Sequence, residues 1–312
     1  EKFFKKKMTN WKKSKPSFPL VFFGSAENSN QILASLLNSK SCQAVLAVTQ
    51  PPQPVGRQQT LQPSPVAIFA QEKKIPVLES AKLDQKTIEI IKSKNPYLGI
   101  IAAYRQIIPQ ALIDVFPAGI INFHPSFLPE LRGPSPVQSA ILQNKKTTGI
   151  SLILIDNKID HGPILAQKKI AIFPKDNQVT LSQRLFKEGA KLIEKTLPQY
   201  LKGEIKPSPQ DHHRASYTPL LNRNDGLIKP QDLKEALNIG GKKAELIERK
   251  WRAYHPWPGI YTFLSLPQKP QKRVKILSLH LEGKKLVLDQ VQFEGRKPIS
   301  WDKNLNKIYF EE

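Results

Sequence analysis

The chain has 312 residues, with 48 Lys and Arg against 26 Asp and Glu, for a formal charge of +22 at pH 7. That length fits one large domain or two ordinary ones around a real hydrophobic core, so globular folding is the default. One cysteine, Cys42, excludes disulfides and a cysteine metal cage, and no run reaches the roughly 18 apolar residues of a membrane helix, so no membrane partner is expected.

Residues 1–17, EKFFKKKMTNWKKSKPS, form a basic N-terminal extension without the apolar centre of a secretory signal, which points to a reducing, cytoplasmic setting. Numbering opens on Glu1 and the only methionine is Met8, which fits a start at Met8 and a missing first residue equally well. The excess of Lys and Arg favours an anionic macromolecule, nucleic acid above all, because phosphate contacts release counterions. Residues 211–312 and the rest of the chain carry that charge at nearly equal density, so it does not say which part binds.

From residue 18 short β-rich runs alternate with helical ones: FPLVFFG, SNQILASLLNSK, QAVLAVT, PSPVAIFAQEKK, IPVLE and LDQKTIEIIKSK. The pattern continues with YLGIIAAY, a helix near PQALIDVF, the strand GIINFH and a helix starting near Pro134. GISLILI and ILAQKKIAI read as two further strands, and a helix is expected over 178–202. Such alternation predicts an α/β fold with a Rossmann-like, mostly parallel sheet and helices on both faces, over 18–203. The polar, Pro-rich stretch 204–225 has no period and reads as a linker. Over 226–312 the pattern predicts one helical segment near Gln231–Glu248, then short strands at RVKILSLHL, KLVLDQVQF and KIYF, a small β-barrel-like domain.

Asn122 and His124 lie two apart at the end of the strand GIINFH, so they project from the same side at the carboxyl end, where open sheets place their ligands. An amide donor beside an imidazole can stabilise an oxyanion, and the ring can shuttle a proton near neutral pH. A structural histidine beside a turn fits the same fragment. Asp156-Asn-Lys-Ile-Asp160-His161-Gly162 is a polar turn between two apolar runs. Its carboxylates can orient an imidazole and relay a proton, or simply build an Asx-type turn. The spacing of His124, Asp160, His161, His212 and His213 matches no close helical ligand set, so no metal is expected. The first strand is followed by Gly24-Ser-Ala-Glu, without the further glycines of a pyrophosphate turn, and no phosphate loop occurs, which speaks against NAD and ATP. The stretch 49–65 is a long loop carrying Arg57, suitably placed for a phosphate.

Asn122, His124, Ser126 to Pro129, Arg132-Gly133, Pro136, Asp160 and Gly162 together resemble the hallmark of the formyltransferase superfamily. The resemblance implies Asn122, His124 and Asp160 as the catalytic trio. It implies Ser126, Phe127, Leu128, Pro129 and Asp156 as contacts of a 10-formyltetrahydrofolate co-substrate. Three features favour the branch whose acceptor is methionyl initiator tRNA: Thr49-Gln-Pro to Gly56-Arg57 running into Pro63-Ser-Pro65, the block Trp251 to Gly259, and the ending Leu288 to Lys297. By that likeness 18–203 is the catalytic domain, Arg57 contacts tRNA, and 226–312 is an oligonucleotide-binding (OB-like) barrel in a monomeric enzyme. A formyltransferase for a small amine is the alternative. The family usually has Asp at Pro52, Gly at Arg105, Leu at Phe127 and often Asn at His255; none of these departures removes a catalytic group.

Overall fold

The computed structural model describes residues 17–56, 58–264, 271–302 and 305. The basic extension up to residue 16, Arg57 and the KIYF run at 307–310 therefore lie outside the described residues. In chain order the elements begin with β1 (Phe18–Gly24), α1 (Ser29–Leu37), β2 (Cys42–Thr49), β3 (Gln53–Val55), β4 (Thr60–Gln62), α2 (Pro65–Glu72), β5 (Val77–Glu79) and α3 (Gln85–Ser93). They continue with β6 (Leu98–Ala102), α4 (Gln110–Ile113), β7 (Ile120–His124), α5 (Pro136–Leu142), β8 (Thr147–Leu154), β9 (Ile164–Ala171) and α6 (Gln178–Lys202). After two short 3₁₀ turns come α7 (Pro230–Asn238), α8 (Lys242–Tyr254), β10 (Ile260–Leu264), β11 (Lys272–Glu282), β12 (Lys285–Phe293) and β13 (Ile299–Ser300).

Seven strands form one sheet in the order β5-β2-β1-β6-β7-β8-β9. Pairings from β5 through β7 are parallel, and β8 runs antiparallel to β7. Burial explains the unbroken apolar character of β1: every residue after Phe18 is buried, as expected for a strand covered on both faces. On one face Ile88 and Ile91 of α3 and Leu112 of α4 pack with Val21, Phe23 and Ile101. On the other, Phe123 stacks obliquely on Phe186 of α6 at 4.5 Å, and Ser35 of α1 donates to the Ala190 carbonyl of α6 at 3.0 Å. Each such apolar side chain contributes about 1.5–3 kcal/mol on full burial. Local chemistry sets the helix starts. Ser64 accepts from the Ala67 amide ahead of Pro65, and Asp84 accepts from the Thr87 amide.

Contacts divide the chain into two units. One gathers residues up to 132, 148–170 and 182–217; the other gathers 133–147, 171–181 and 218–312. The second carries the antiparallel sheet β10-β11-β12-β13, with α7 and α8 against it and α5 against α8. Several features here differ from the sequence reading, the short β13 among them. The single helical segment near Gln231–Glu248 is two helices, because Gly240 and Gly241 between them adopt φ of +83° and +75°, a region open to glycine. α8 then runs on through Trp251 to Tyr254, and β10 is a strand that the alternation reading did not assign. In the first unit the loop 49–65 contains the β3–β4 hairpin. Among the described residues no helix is long and apolar enough to cross a membrane.

α6 is tied to β9 by Glu188, which accepts from Lys168 and from Lys191. These bonds hold its carboxyl down at about 2. The folded value lies below the ordinary one, so this stabilisation is present above about pH 4.5 and is lost as pH falls toward 2. Because both lysines are largely exposed, Glu188→Gln should cost only about 1 kcal/mol at pH 7. Urea denaturation at pH 7 and at pH 3 should show that difference shrinking with acid.

Candidate active site

The strand β7 ends on the pair that its alternation placed together. Asn122 Nδ2 donates to Asp160 Oδ1 at 3.0 Å, and His124 Nδ1 lies 3.4 Å from Asp160 Oδ2. One carboxylate thus bridges both side chains. His124 and Asp160 are nearly enclosed, with 5% and 12% of their side-chain surfaces exposed. Asn122 is half-buried, and its amide nitrogen has a second N–H beyond the one given to Asp160.

His124 is held most closely by a group with no side-chain signature: Nε2 lies 2.9 Å from the Leu131 carbonyl. A carbonyl can only accept, so Nε2 carries the proton and donates. The looser 3.4 Å contact leaves the Nδ1 edge as the side of the ring that can turn to a reacting group. Leu131 itself has φ +60° and Asp160 φ +47°, left-handed conformations that cost a non-glycine residue about 1–2 kcal/mol each. Gly162 completes the Asp160 turn where no side chain fits, since a Cβ there would lie 1.8 Å from the Leu154 carbonyl oxygen.

The loop after β7 is fixed from β8 and β9. Ser151 donates to the Ser126 carbonyl at 2.8 Å and accepts from the Leu128 amide at 3.0 Å. Gln167 donates to the Leu128 carbonyl and to Ser151 Oγ, both at 2.8 Å. Ser126 Oγ closes the loop on the Glu130 carbonyl. Leu128 is buried, whereas Phe127 and Pro129 are half-buried, with Lys169 over the Phe127 ring at 5.2 Å.

Asp156 sits in the same turn as Asp160 and is spent differently, accepting from the Lys158 amide at 2.9 Å and pairing with His161 Nδ1 at 2.7 Å. The His161 ring stacks face to face on His212 at 4.0 Å. Burial, then the neighbouring His161 and Arg132, pushes the His212 imidazole below its ordinary value. Just beyond β6, the Tyr104 hydroxyl has no hydrogen-bond partner among the described residues, and burial pushes it up to about 12.

Asn122, His124 and Asp160 are thus brought into mutual contact, and Ser126 to Pro129 form the loop that follows. Asp156 is turned to His161, and Arg57 lies outside the described residues. Sequence reasoning missed Leu131, Ser151 and Gln167. Ser151 inside GISLILI and Gln167 inside ILAQKKIAI did carry a signal, since a polar side chain in an apolar strand needs a buried partner. An amide with a free N–H, an enclosed imidazole and a carboxylate touching both can stabilise a developing oxyanion and move a proton.

Residues 19–197 match the family model described as Formyl transferase, and 237–285 the one described as Formyl transferase, C-terminal domain. A methionyl-tRNA formyltransferase of Chloroflexus aurantiacus is 40% identical over 245 residues, 78% of this chain and 76% of that protein. One from Thermus thermophilus is 35% identical over 280 residues, 88% and 85% of the two chains. Among solved structures, a methionyl-tRNA formyltransferase from Clostridium thermocellum superposes with a TM-score of 0.56 at 18% identity, over 89% of this chain and 99% of that one. An N-formyltransferase from Helicobacter canadensis, solved with folinic acid and dTDP-3-aminofucose, gives 0.58 at 19% identity over 84% and 88%. At such identities the structural likeness speaks to the fold alone.

Proposed function

This chain belongs to the formyl transferase family, and from that membership we propose that it transfers the formyl group of 10-formyltetrahydrofolate to the amino group of methionine carried by initiator tRNA. The observation that carries the chemistry is the Asp160 carboxylate touching both Asn122 and His124. Identity of 40% to a methionyl-tRNA formyltransferase over 78% of the chain supports the acceptor.

The neutral amine attacks the formyl carbon, forming a C–N bond and placing negative charge on the formyl oxygen. Asn122 donates its remaining N–H to that oxygen, and the His124 ring, whose Nε2–H stays on the Leu131 carbonyl, supplies a second donor as the Nδ1–H of its doubly protonated form, a role worth about 3 kcal/mol for a single donor. Asp160 orients both and takes up, directly or through water, the proton released by the amine. The bond to the folate nitrogen then breaks, and that nitrogen gains a proton. Ser126 to Pro129, with Asp156, hold the folate. The close ties of this loop to Ser151 and Gln167 support a preformed wall. No covalent enzyme intermediate is required, and Cys42 is buried away from this chemistry.

Residues 18–203 carry the reaction, 204–225 link them to 226–312, and the latter assists in binding tRNA. The trio comes from one chain, which supports a monomer; light scattering should give a mass near 35.3 kDa. A lone cysteine and a role in starting translation support the cytoplasm. Arg57 contacts the tRNA, so Arg57→Ala should raise the KM for tRNA and reduce the salt dependence of binding by about one counterion, with folate chemistry intact. Formyl-methionine released after ester hydrolysis, from 10-formyltetrahydrofolate and methionyl initiator tRNA, tests the whole reading. Formylation of small amines instead, with tRNA refused, would move the chain to another branch of the family.

A further inference from the structure

Arg132 is the largest fully buried side chain among the described residues, at 1% exposure, and nothing in the reaction above uses it. Its guanidinium donates through Nε and Nη2 to Gln210 Oε1 at 3.2 and 2.7 Å, through Nη1 to the Tyr217 hydroxyl at 3.2 Å, and through Nη2 to His212 Nδ1 at 2.9 Å. With its oxygen held by two guanidinium donors, the Gln210 amide can face only one way. Its Nε2 then donates to the carbonyls of Asp160 at 2.9 Å and Gly162 at 2.7 Å, clasping the turn on both sides of His161.

We propose that Gln210, locked by Arg132, is a positioning residue that sets the aim of the Asp160 carboxylate at Asn122 and His124. Asp160 holds a left-handed backbone, and a residue in that conformation persists where its surroundings over-determine it. Gln210 supplies that constraint from the linker side of the chain. The same arginine reaches the other partner through its neighbour: the Arg132 amide donates to the Ser216 carbonyl at 2.8 Å and the Leu131 amide to Ser216 Oγ at 2.9 Å, and the Leu131 carbonyl receives His124 Nε2. One pinned dipeptide, Leu131-Arg132, therefore sets the angle of the histidine and, through Gln210, that of the aspartate. This inference rests on the formyl-transfer reading of the site.

Gln210→Glu tests it without stranding the buried charge. Arg132 keeps an acceptor, while the Asp160 and Gly162 carbonyls lose their donors to a carboxylate. Turnover should fall about 10- to 100-fold, the scale of a misplacement near 1 Å. The KM values for folate and tRNA should stay within about twofold, and the melting temperature should stay close to wild type. Gln210→Asn, neutral but too short to reach both anchors, should fall between wild type and Gln210→Glu, and it replaces the first variant if that one melts below the assay temperature. Wild-type turnover in the folded variant, or a loss confined to KM, overturns the inference. Failure of the wild-type protein to formylate any amine in the same assay overturns the underlying reading instead.

Discussion

His124→Ala and Asp160→Ala are each expected to lower turnover on the order of 100- to 1,000-fold while leaving tRNA affinity within about twofold. Removing the imidazole deletes the proposed Nδ1 donor to the oxyanion and leaves the Leu131 carbonyl, buried against the ring, without its Nε2–H. Removing the carboxylate does something different: Asn122 loses the acceptor that fixes its amide at 3.0 Å, so the donor survives and its direction does not. The two losses share one device and should not add, and the double variant should sit near the worse single one. Steady-state formylation of methionyl initiator tRNA, with binding followed separately at fixed salt, measures both. Turnover at wild-type level in either single variant would sink the assignment of the trio.

The second large effect is expected at a residue with no functional group. A Cβ at position 162 would stand 1.8 Å from the Leu154 carbonyl oxygen, a backbone atom that cannot rotate aside. Leu154 ends β8, and its amide donates to the Pro163 carbonyl at 3.0 Å, so the turn is joined to the strand on the side where the methyl would go. Gly162→Ala must push the Asp160–Pro163 segment off β8, at a cost of about 3 kcal/mol. It should lower turnover by more than the unfolded fraction explains, because the displaced segment carries Asp160. Chemical denaturation alongside turnover at a temperature where the variant is fully folded separates the two losses. Unchanged stability and unchanged turnover together would show that the turn is looser than its geometry implies.

What could be read from the sequence followed from periodicity. Two-residue alternation in GIINFH put Asn122 and His124 on one side at a carboxyl end, and the β/α rhythm pointed to the parallel sheet at whose carboxyl ends ligands are expected. Helix 178–202 was legible for the same reason. Groups acting through the backbone were not legible, since the Leu131 carbonyl that anchors His124 belongs to a residue of no chemical distinction. Gln210 was hidden by distance: it lies 50 residues beyond Asp160, in a stretch read as a linker. The break at Gly240–Gly241 was written in the sequence as a glycine pair, and the helical period on either side outweighed it.

The β3–β4 hairpin has one more implication. All six of its strand residues are exposed, with Val55 at 49% and Leu61 at 66%, and a two-stranded ribbon alone is marginal in water. Folding of the sheet gains almost nothing from it. Its amides should exchange with solvent by local opening long before those of β1 or β6. Replacing the ribbon with a short glycine bridge should leave the unfolding transition nearly in place. The core therefore places almost no demand on the hairpin's letters, which answer only to what the loop touches outside it, while Leu131 and Arg132 are held by the fold itself.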